Sequence, residues 1–115
     1  MSRPRYWWYG NVLRIIGEYP RLASRSRDMS GNTSADGLSA REQEDYAAVC
    51  RAVEEAGTWR DGSEVLAVVT LHAWGNKLSF GEIGRAMFIS SATAKGRYKK
   101  FVYETARQLG YKKFG

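Results

Sequence analysis

The chain has 115 residues, which is enough for one domain but not for two independent folds. Hydrophobic residues make up 43% and aromatic residues 13% of the chain, so a core can form and a wholly disordered protein is excluded. The formal net charge of +6 makes a polyanion the first partner to consider. A single cysteine excludes an internal disulfide framework, and a single histidine leaves little for a metal site or a catalytic triad. We therefore expect no cofactor, no metal and no enzymatic activity.

The charge is distributed unevenly along the sequence. Residues 1–25 carry five Arg and one Glu, for +4, and residues 36–64 carry eight acidic residues against three Arg, for −5. Residues 65–115 carry nine basic and two acidic residues, for +7. The sequence thus predicts a polarised molecule with a basic module at its C-terminal end.

The first predicted element is an aromatic and basic helix in residues 1–22. Over residues 5–19 the apolar side chains recur at helical spacing, and Pro20 predicts the end of the helix. We expect Trp8 to pack on the domain and Trp7 and Tyr9 to form a partner surface. These aromatic residues could instead stack on bases, as in single-strand binders.

A polar segment follows and separates this helix from the rest of the chain. Residues 23–37 are dominated by Ser, Gly, Asn, Asp and Thr without periodicity, which predicts a flexible linker. An arm that becomes ordered on a partner is the alternative. Residues 38–115 are then the main helical domain.

This domain begins with two predicted helices. Ser39 and Glu42 form a capping box that opens a helix ending near Gly57, with an apolar stripe of Tyr46, Val49, Cys50 and Val53. Asp61 or Ser63 can cap the next helix, which runs to Trp74 and is apolar almost all round, so we expect it to be the buried centre. We interpret His72 on this helix as a core or boundary histidine with a hydrogen-bond partner.

Two further helices are predicted at the C-terminal end. Ser79 and Glu82 form a second capping box, and Ser90 caps a last helix that runs to about Leu109. Only two or three residues join the two helices, the spacing of a helix-turn-helix over residues 79–109. With no credible strand, the expected fold is all-α with about five helices.

The last helix has one apolar and one basic face. Basic side chains suit a phosphate backbone, and small residues near the helix start allow close approach to a major groove. A solvated helix face is the alternative interpretation. The apolar face consists of Ala94, Tyr98, Phe101, Val102, Thr105 and Leu109. The basic face consists of Ala92, Gly96, Lys99, Lys100, Tyr103 and Arg107.

The stretch from Leu78 to Tyr98 resembles the region-four domain of sigma factors. That family's pattern runs Ser-aromatic-x-Glu-Ile-Ala-x-x-Leu-Gly-Ile-Ser-x-x-Thr-Val-Lys-x-Arg, and Phe88 stands at the position of its turn glycine, which usually supplies a left-handed conformation. The residues that match it are Ser79, Phe80, Glu82, Ile83, Ile89, Ser90, Thr93, Lys95 and Arg97.

The order of the whole chain resembles small phage and prophage regulators of the RinA/ArpU type. The features shared with them are the aromatic start at Tyr6, the polar linker, the segment Arg41–Tyr46 and the helix-turn-helix. The resemblance implies a transcriptional activator of phage late genes in the bacterial cytoplasm. Its partners would be double-stranded DNA and, through a protein surface, host RNA polymerase or a second copy in a homodimer. A membrane partner is not expected.

The resemblance also assigns residues to the DNA surface. Those matching the base-facing start of the recognition helix are Ser91, Ala92, Lys95, Gly96 and Lys99, and Lys95 is the best candidate for a guanine contact. Those expected to meet phosphates are Ser79, Ser90, Thr93, Arg97 and Lys100.

Other classes of protein remain open from the sequence. A small terminase subunit also uses a helix-turn-helix to mark phage DNA for packaging. A sigma-like or anti-sigma factor would act chiefly by binding polymerase. An enzyme is the least favoured class.

Overall fold

A computed structural model describes residues 7–28, 38–75 and 77–111. Within these ranges the chain forms five α-helices and no strand, which confirms the predicted all-α class. A π-helical segment, Thr70–Trp74, continues the third helix. The helices are α1 (Tyr9–Asp28), α2 (Ala40–Ala56), α3 (Gly62–Val69), α4 (Phe80–Met87) and α5 (Ser91–Gln108).

The last helix organises the core. α5 packs against α1, α2, α3 and α4, and Phe101 and Val102 in its middle are fully buried. The expectation that the 61–74 helix would be the centre was wrong. That helix buries Val65, Val68 and Val69, but its other apolar side chains are only partly covered, because they lie toward the edge of the bundle.

α1 does not end at Pro20. A proline has no N–H to donate to the carbonyl four residues earlier, which here belongs to Ile16. The indole Nε1 of Trp74 donates to that carbonyl at 2.6 Å, so the carbonyl is satisfied without the helical bond. Leu22, two residues after the proline, is fully buried. The helix therefore continues to Asp28, and the predicted linker boundary was wrong for residues 23–28; residues 29–37 of that linker lie outside the described residues.

The N-terminal helix belongs to the same core as the rest of the domain. Its Trp8, Val12, Ile15 and Ile16 side chains are at most 1% exposed, and they contact the bundle formed by the later helices. Burying four large apolar side chains stabilises this docking by several kcal/mol, about 1.5–3 for each. The N-terminal helix is therefore part of the domain and does not form a separate module.

α2 begins as predicted but buries a different face. Ser39 and Glu42 form the expected capping box, with Ser39 Oγ 3.1 Å from the Glu42 amide. The fully buried residues of α2 include three alanines, because small side chains let α2 approach α5 closely. Of the predicted stripe only Val49 is fully buried, while Tyr46, Cys50 and Val53 are half-buried. The alanines are Ala48, Ala52 and Ala56.

Candidate nucleic-acid interface

The C-terminal pair of helices is joined by a three-residue turn, Phe88 to Ser90. α4 begins at the predicted capping box, in which Ser79 Oγ lies 3.1 Å from the Glu82 amide. α5 begins at Ser90, whose Oγ accepts a 3.0 Å hydrogen bond from the Thr93 amide. The two predicted helix starts are confirmed, and the likeness to sigma region four stays a prediction.

The turn is closed by a left-handed residue. Phe88 has φ 60° and ψ 42°, the conformation that the glycine of the sigma pattern would supply. The amide of Ile89 then donates to the carbonyl of Gly84 at 2.9 Å, which caps the end of α4. Phe88 thus adopts the backbone conformation expected of the glycine at this position of the sigma pattern.

Gly84 lets α4 touch the start of α5. A Cβ atom built on it would lie 2.5 Å from the Ile89 carbonyl oxygen and 3.3 Å from the Ser91 nitrogen. Both contacts are with backbone, which cannot swing aside. The close approach of the two helices at this turn therefore requires a glycine, where the sigma pattern has alanine.

The predicted base-facing residues all lie on the open side of α5. Each of them is exposed, while Ala94 and Tyr98 on the opposite side are buried. Three of them have small side chains, so the helix backbone is accessible along its first two turns. They are Ser91, Ala92, Lys95, Gly96 and Lys99.

Lys95 and Lys99 supply the free charge of this surface. They are four residues apart on one helix, so their side chains lie on the same face. Neither ammonium group has an ion pair or a hydrogen bond with any residue that the structure describes. Both are therefore available to an anionic partner.

Arg97 and Lys100, predicted as phosphate contacts, are occupied within the fold. Arg97 Nε donates to Glu64, and its Nη1 lies 3.4 Å from Asp61. Lys100 Nζ lies 3.0 Å from Asp61 and 4.8 Å from the centre of the Trp59 ring. These contacts hold the two cations against the N-terminal end of α3 and away from the unpaired lysines.

Asp61, one of the two residues expected to cap α3, serves instead as a counterion, and Ser63, the other, lies inside the helix. Asp61 stands at the N-cap position, but its side chain makes no capping hydrogen bond. The hydrogen bond from Lys100 is the main reason that the pKa of Asp61 is lowered, with smaller contributions from the charges of Lys100 and Arg97. The cap prediction failed because a long-range ion pair competes for the carboxylate.

The three hydroxyl groups predicted to meet phosphates are already engaged locally. Ser79 Oγ and Ser90 Oγ each accept an amide hydrogen as helix caps. Ser90 Oγ also donates to Thr93 Oγ1 at 2.8 Å. These hydroxyl groups fix the start of each helix, and the hydrogen bonds that they form are all within the cap regions.

Sequence analysis missed two exposed cations at the two ends of α4. Arg85 in the last turn of α4 and Lys77, two residues before Ser79, are exposed, and neither forms an ion pair within the described part of the chain. Lys77 has φ 55°, so the backbone there is also left-handed. The position of Lys77 shortly before the capping Ser79 could have indicated it, because a basic residue next to a helix start adds to its attraction for anions.

The N-terminal aromatic residues pack against the second half of α5. The ring of Trp8 lies 5.8 Å from that of Tyr111 and 6.2 Å from that of Tyr103, and the ring of Tyr9 lies 6.3 Å from that of Tyr103. The cluster therefore covers the outer face of α5 around Tyr103, whereas Arg107, one turn further on, stays exposed.

The two residues of the predicted partner surface have different environments. Tyr9 is half-buried in the aromatic cluster, where burial is the main reason that its pKa is raised. Trp7 is 80% exposed and touches the fold through an edge contact with Tyr111, at 5.4 Å between ring centres. Of the pair, Trp7 is the more accessible side chain.

A groove of about 360 Å³ lies between α1 and the start of α5. Lys95 and Lys99 line it, together with rings that include His72 and Tyr98. His72 Nδ1 donates to the Leu78 carbonyl at 2.8 Å and the imidazole stacks on Phe80, which confirms the interpretation of His72 as a histidine with a partner. Burial raises the pKa of Tyr98 to about 12, so its hydroxyl stays protonated at neutral pH.

The ranges given above contain neither a membrane-spanning helix nor a cluster of metal ligands. No described helix is both long and apolar enough to cross a membrane. No three His, Cys, Asp or Glu side chains of those residues come together as metal ligands would. The chain matches no known family model, no curated protein and no solved structure.

Proposed function

We propose that this protein binds duplex DNA and regulates the transcription of phage or prophage genes. In this proposal the first two turns of α5 enter the major groove, as the recognition helix of a helix-turn-helix does. Lys95 and Lys99 provide the charge, and Ser91, Ala92 and Gly96 provide the clearance. The resemblance to RinA/ArpU regulators suggests late genes as the target and activation as the outcome.

One observation carries the proposal. Of the four cations between Lys95 and Lys100, two are neutralised by Asp61 and Glu64, whereas Lys95 and Lys99 on the open face have no partner among the described residues. A long, exposed cation that no acidic side chain neutralises gains the most binding free energy from contact with a phosphate or a base edge. Arg85 in α4 and Lys77 before it are also exposed and carry no ion pair among the described residues.

The surface offers few groups that can distinguish bases. Lys95 is the main candidate for a guanine contact and Ser91 for a hydrogen bond to a base edge, while Ala92 and Gly96 offer little more than clearance. We therefore expect modest sequence preference from one copy. Phosphate contacts, which do not depend on sequence, supply most of the affinity.

Binding to duplex DNA in a salt titration tests the proposal. A fluorescently labelled duplex pool of random sequence should bind the full chain with an affinity that falls as salt rises. The double variant Lys95→Ala with Lys99→Ala should weaken binding about tenfold or more and flatten the salt dependence. The proposal fails if the wild-type chain does not bind, or if the double variant binds as tightly as the wild type.

A single-charge control, compared with the single variant Lys95→Ala, separates a specific surface from general basicity. Arg41 is exposed near the start of α2, and Arg51 on the same helix bonds to Gln108 at the far end of α5. Arg41→Ala removes one positive charge at a distance from the proposed surface. It should leave affinity within about twofold of the wild type, because screening limits the effect of remote charges.

Trp7 is the side chain we propose for contact with a protein partner, either RNA polymerase or a second copy of the chain. Its 80% exposure supports this role, since a tryptophan is rarely left so open. Capture of purified polymerase by the wild-type chain, and its loss with Trp7→Ala, would test the polymerase contact.

The competing functions predict different assemblies and different DNA sites. A monomer or dimer in light scattering supports a regulator, whereas a large closed ring would favour a terminase subunit. A genome-wide binding profile with a peak upstream of a late operon supports activation, and enrichment at a packaging site would replace it with packaging. Polymerase binding without any DNA enrichment would favour a sigma-like factor.

A further inference from the structure

Phe88 is an unusual residue for the turn between α4 and α5. Its side chain is 94% exposed, and Trp7 is the only other large hydrophobic residue so open in the described ranges. Its backbone is left-handed, with φ 60° and ψ 42°. A residue with a Cβ adopts that conformation at a cost in free energy that glycine avoids.

The fold gains nothing from the Phe88 ring that would offset this cost. Burial is what makes a phenyl group stabilising, and this one is in water. Glycine or asparagine would close the same turn with less strain. The ring is therefore best explained by a contact outside the chain.

The surroundings of Phe88 favour DNA over a protein as that contact. Its neighbours Met87 and Ile89 pack partly against the core, so most of the apolar surface at this turn belongs to the Phe88 ring alone. The exposed residues one turn away are Arg85 on α4 and Ser91 on α5. A single phenyl ring among basic, small and polar side chains lacks the contiguous apolar area that protein interfaces use at their centre.

We propose that Phe88 contacts DNA and packs on the C5-methyl group of a thymine beside the point where α5 enters the major groove. This inference rests on the proposed function. The thymine methyl is the apolar feature of the major groove, and a phenyl ring is a suitable group to cover it. Phe88 thereby adds a preference for thymine that the sparse face of α5 does not provide.

Replacement of Phe88 by glycine separates folding from recognition. Phe88→Gly removes the ring and relieves the left-handed strain, so its melting temperature should be no lower than that of the wild type. Its affinity for an A·T-rich duplex of about 30 base pairs should fall about threefold to tenfold. Phe88→Tyr keeps an aromatic ring and should retain most of the affinity.

A second duplex, with deoxyuridine in place of every thymidine, deletes the methyl groups alone. The wild type should bind the thymine duplex several-fold more tightly than the uracil duplex, and Phe88→Gly should lose most of that difference. Arg41→Ala is the control, because Arg41 is exposed near the start of α2 and lies outside the proposed surface. Arg41→Ala should retain the preference of the wild type.

Several results would overturn the inference. Unchanged affinity in Phe88→Gly would show that the ring does not touch DNA, and an equal loss on both duplexes would exclude the methyl group as its target. A wild-type dimer that Phe88→Gly converts to a monomer in light scattering would assign the ring to self-association. If the wild type binds neither duplex, the proposed function fails, and this inference fails with it.

Discussion

The indole of Trp74 donates a 2.6 Å hydrogen bond to the carbonyl of Ile16, fifty-eight residues earlier in the chain. That carbonyl is the one that Pro20 cannot reach within α1. The bond connects the end of the π-helical segment to the middle of the N-terminal helix. It is the reason that α1 passes through a proline without leaving a buried acceptor unsatisfied.

Trp74→Phe should destabilise the protein by about 1–3 kcal/mol, because it removes this donor but keeps a ring near Tyr19 and Phe101. In a Pro20→Ala background the loss should be smaller, since the introduced alanine has an amide that can take over the Ile16 carbonyl. Urea unfolding of the two single variants and the double variant measures this coupling. Equal losses from Trp74→Phe in both backgrounds would show that the hydrogen bond does not compensate for the proline.

Gly84→Ala should destabilise the protein by about 1–3 kcal/mol, since the added Cβ would meet the Ile89 carbonyl at 2.5 Å. Gly81→Ala in the same helix is the matched control. Its nearest contact would be the Ser79 Oγ at 3.9 Å, so it should be neutral or stabilise the helix by up to about 1 kcal/mol. Thermal unfolding distinguishes the two, and a tolerated Gly84→Ala would mean that α4 and α5 are less closely packed than described.

Trp8→Ala should cost about 3–5 kcal/mol, because the side chain is 1% exposed and stacks between aromatic rings. Trp7→Ala should cost less than about 1 kcal/mol, because Trp7 is 80% exposed. The comparison of two adjacent tryptophans by urea unfolding checks that α1 is part of the core. Similar small costs for both would indicate a detached N-terminal helix.

Asp61→Asn should strengthen DNA binding by about threefold to tenfold, because it frees Lys100 and removes one of the two carboxylates that hold Arg97. Glu44→Gln removes an acidic charge from an exposed position on α2 and serves as the control. Anisotropy titrations of the two variants at one salt concentration measure the effect. Equal changes in both would assign it to net charge rather than to the release of Lys100.

The same substitution predicts a change in acid stability. The folded-state pKa of Asp61 is lowered, so its ion pairs stabilise the protein above its unfolded pKa of about 3.9 and are lost as the pH falls through the folded value. The wild-type melting temperature should therefore fall more than that of Asp61→Asn between about pH 5 and pH 2. The pKa values of Glu42 and Glu82 are lowered as well, mainly by hydrogen bonds from the Ser39 and Ser79 amides, and they contribute equally in both proteins.

Features that depend on neighbouring residues in the chain could be predicted from the sequence. The capping boxes at Ser39 and Ser79 and the cap at Ser90 involve partners only three residues away, and all three formed as predicted. The exposed face of α5 followed from helical spacing, since one turn places Lys95 and Lys99 on the same side. These are short-range regularities that any single helix obeys.

Features that depend on partners distant in the chain could not be predicted. No local signal indicates that the Trp74 indole donates to the Ile16 carbonyl. The sequence therefore predicts that α1 ends at Pro20. Likewise, Asp61 is an ordinary N-cap residue by sequence, and only the packing of α3 on α5 brings Lys100 within 3.0 Å of it. The sequence does not show that Arg97 and Lys100 form ion pairs while Lys95 and Lys99 do not, because the partners Asp61 and Glu64 lie on another helix segment more than 30 residues earlier.

The short span of the predicted base-facing residues limits how much of a DNA sequence a single copy can read. These residues run from Ser91 to Lys99, which is about 12 Å of helix at 1.5 Å per residue. That length corresponds to about four base pairs of duplex at roughly 3.4 Å each. A given sequence of four base pairs occurs about once in every 256 positions, which is too often to distinguish one promoter from the many competing sites of a genome. Under the proposed function, selective regulation would therefore require a second site of DNA recognition next to the first, supplied by another copy on an adjacent half-site or by a polymerase that is already on the promoter.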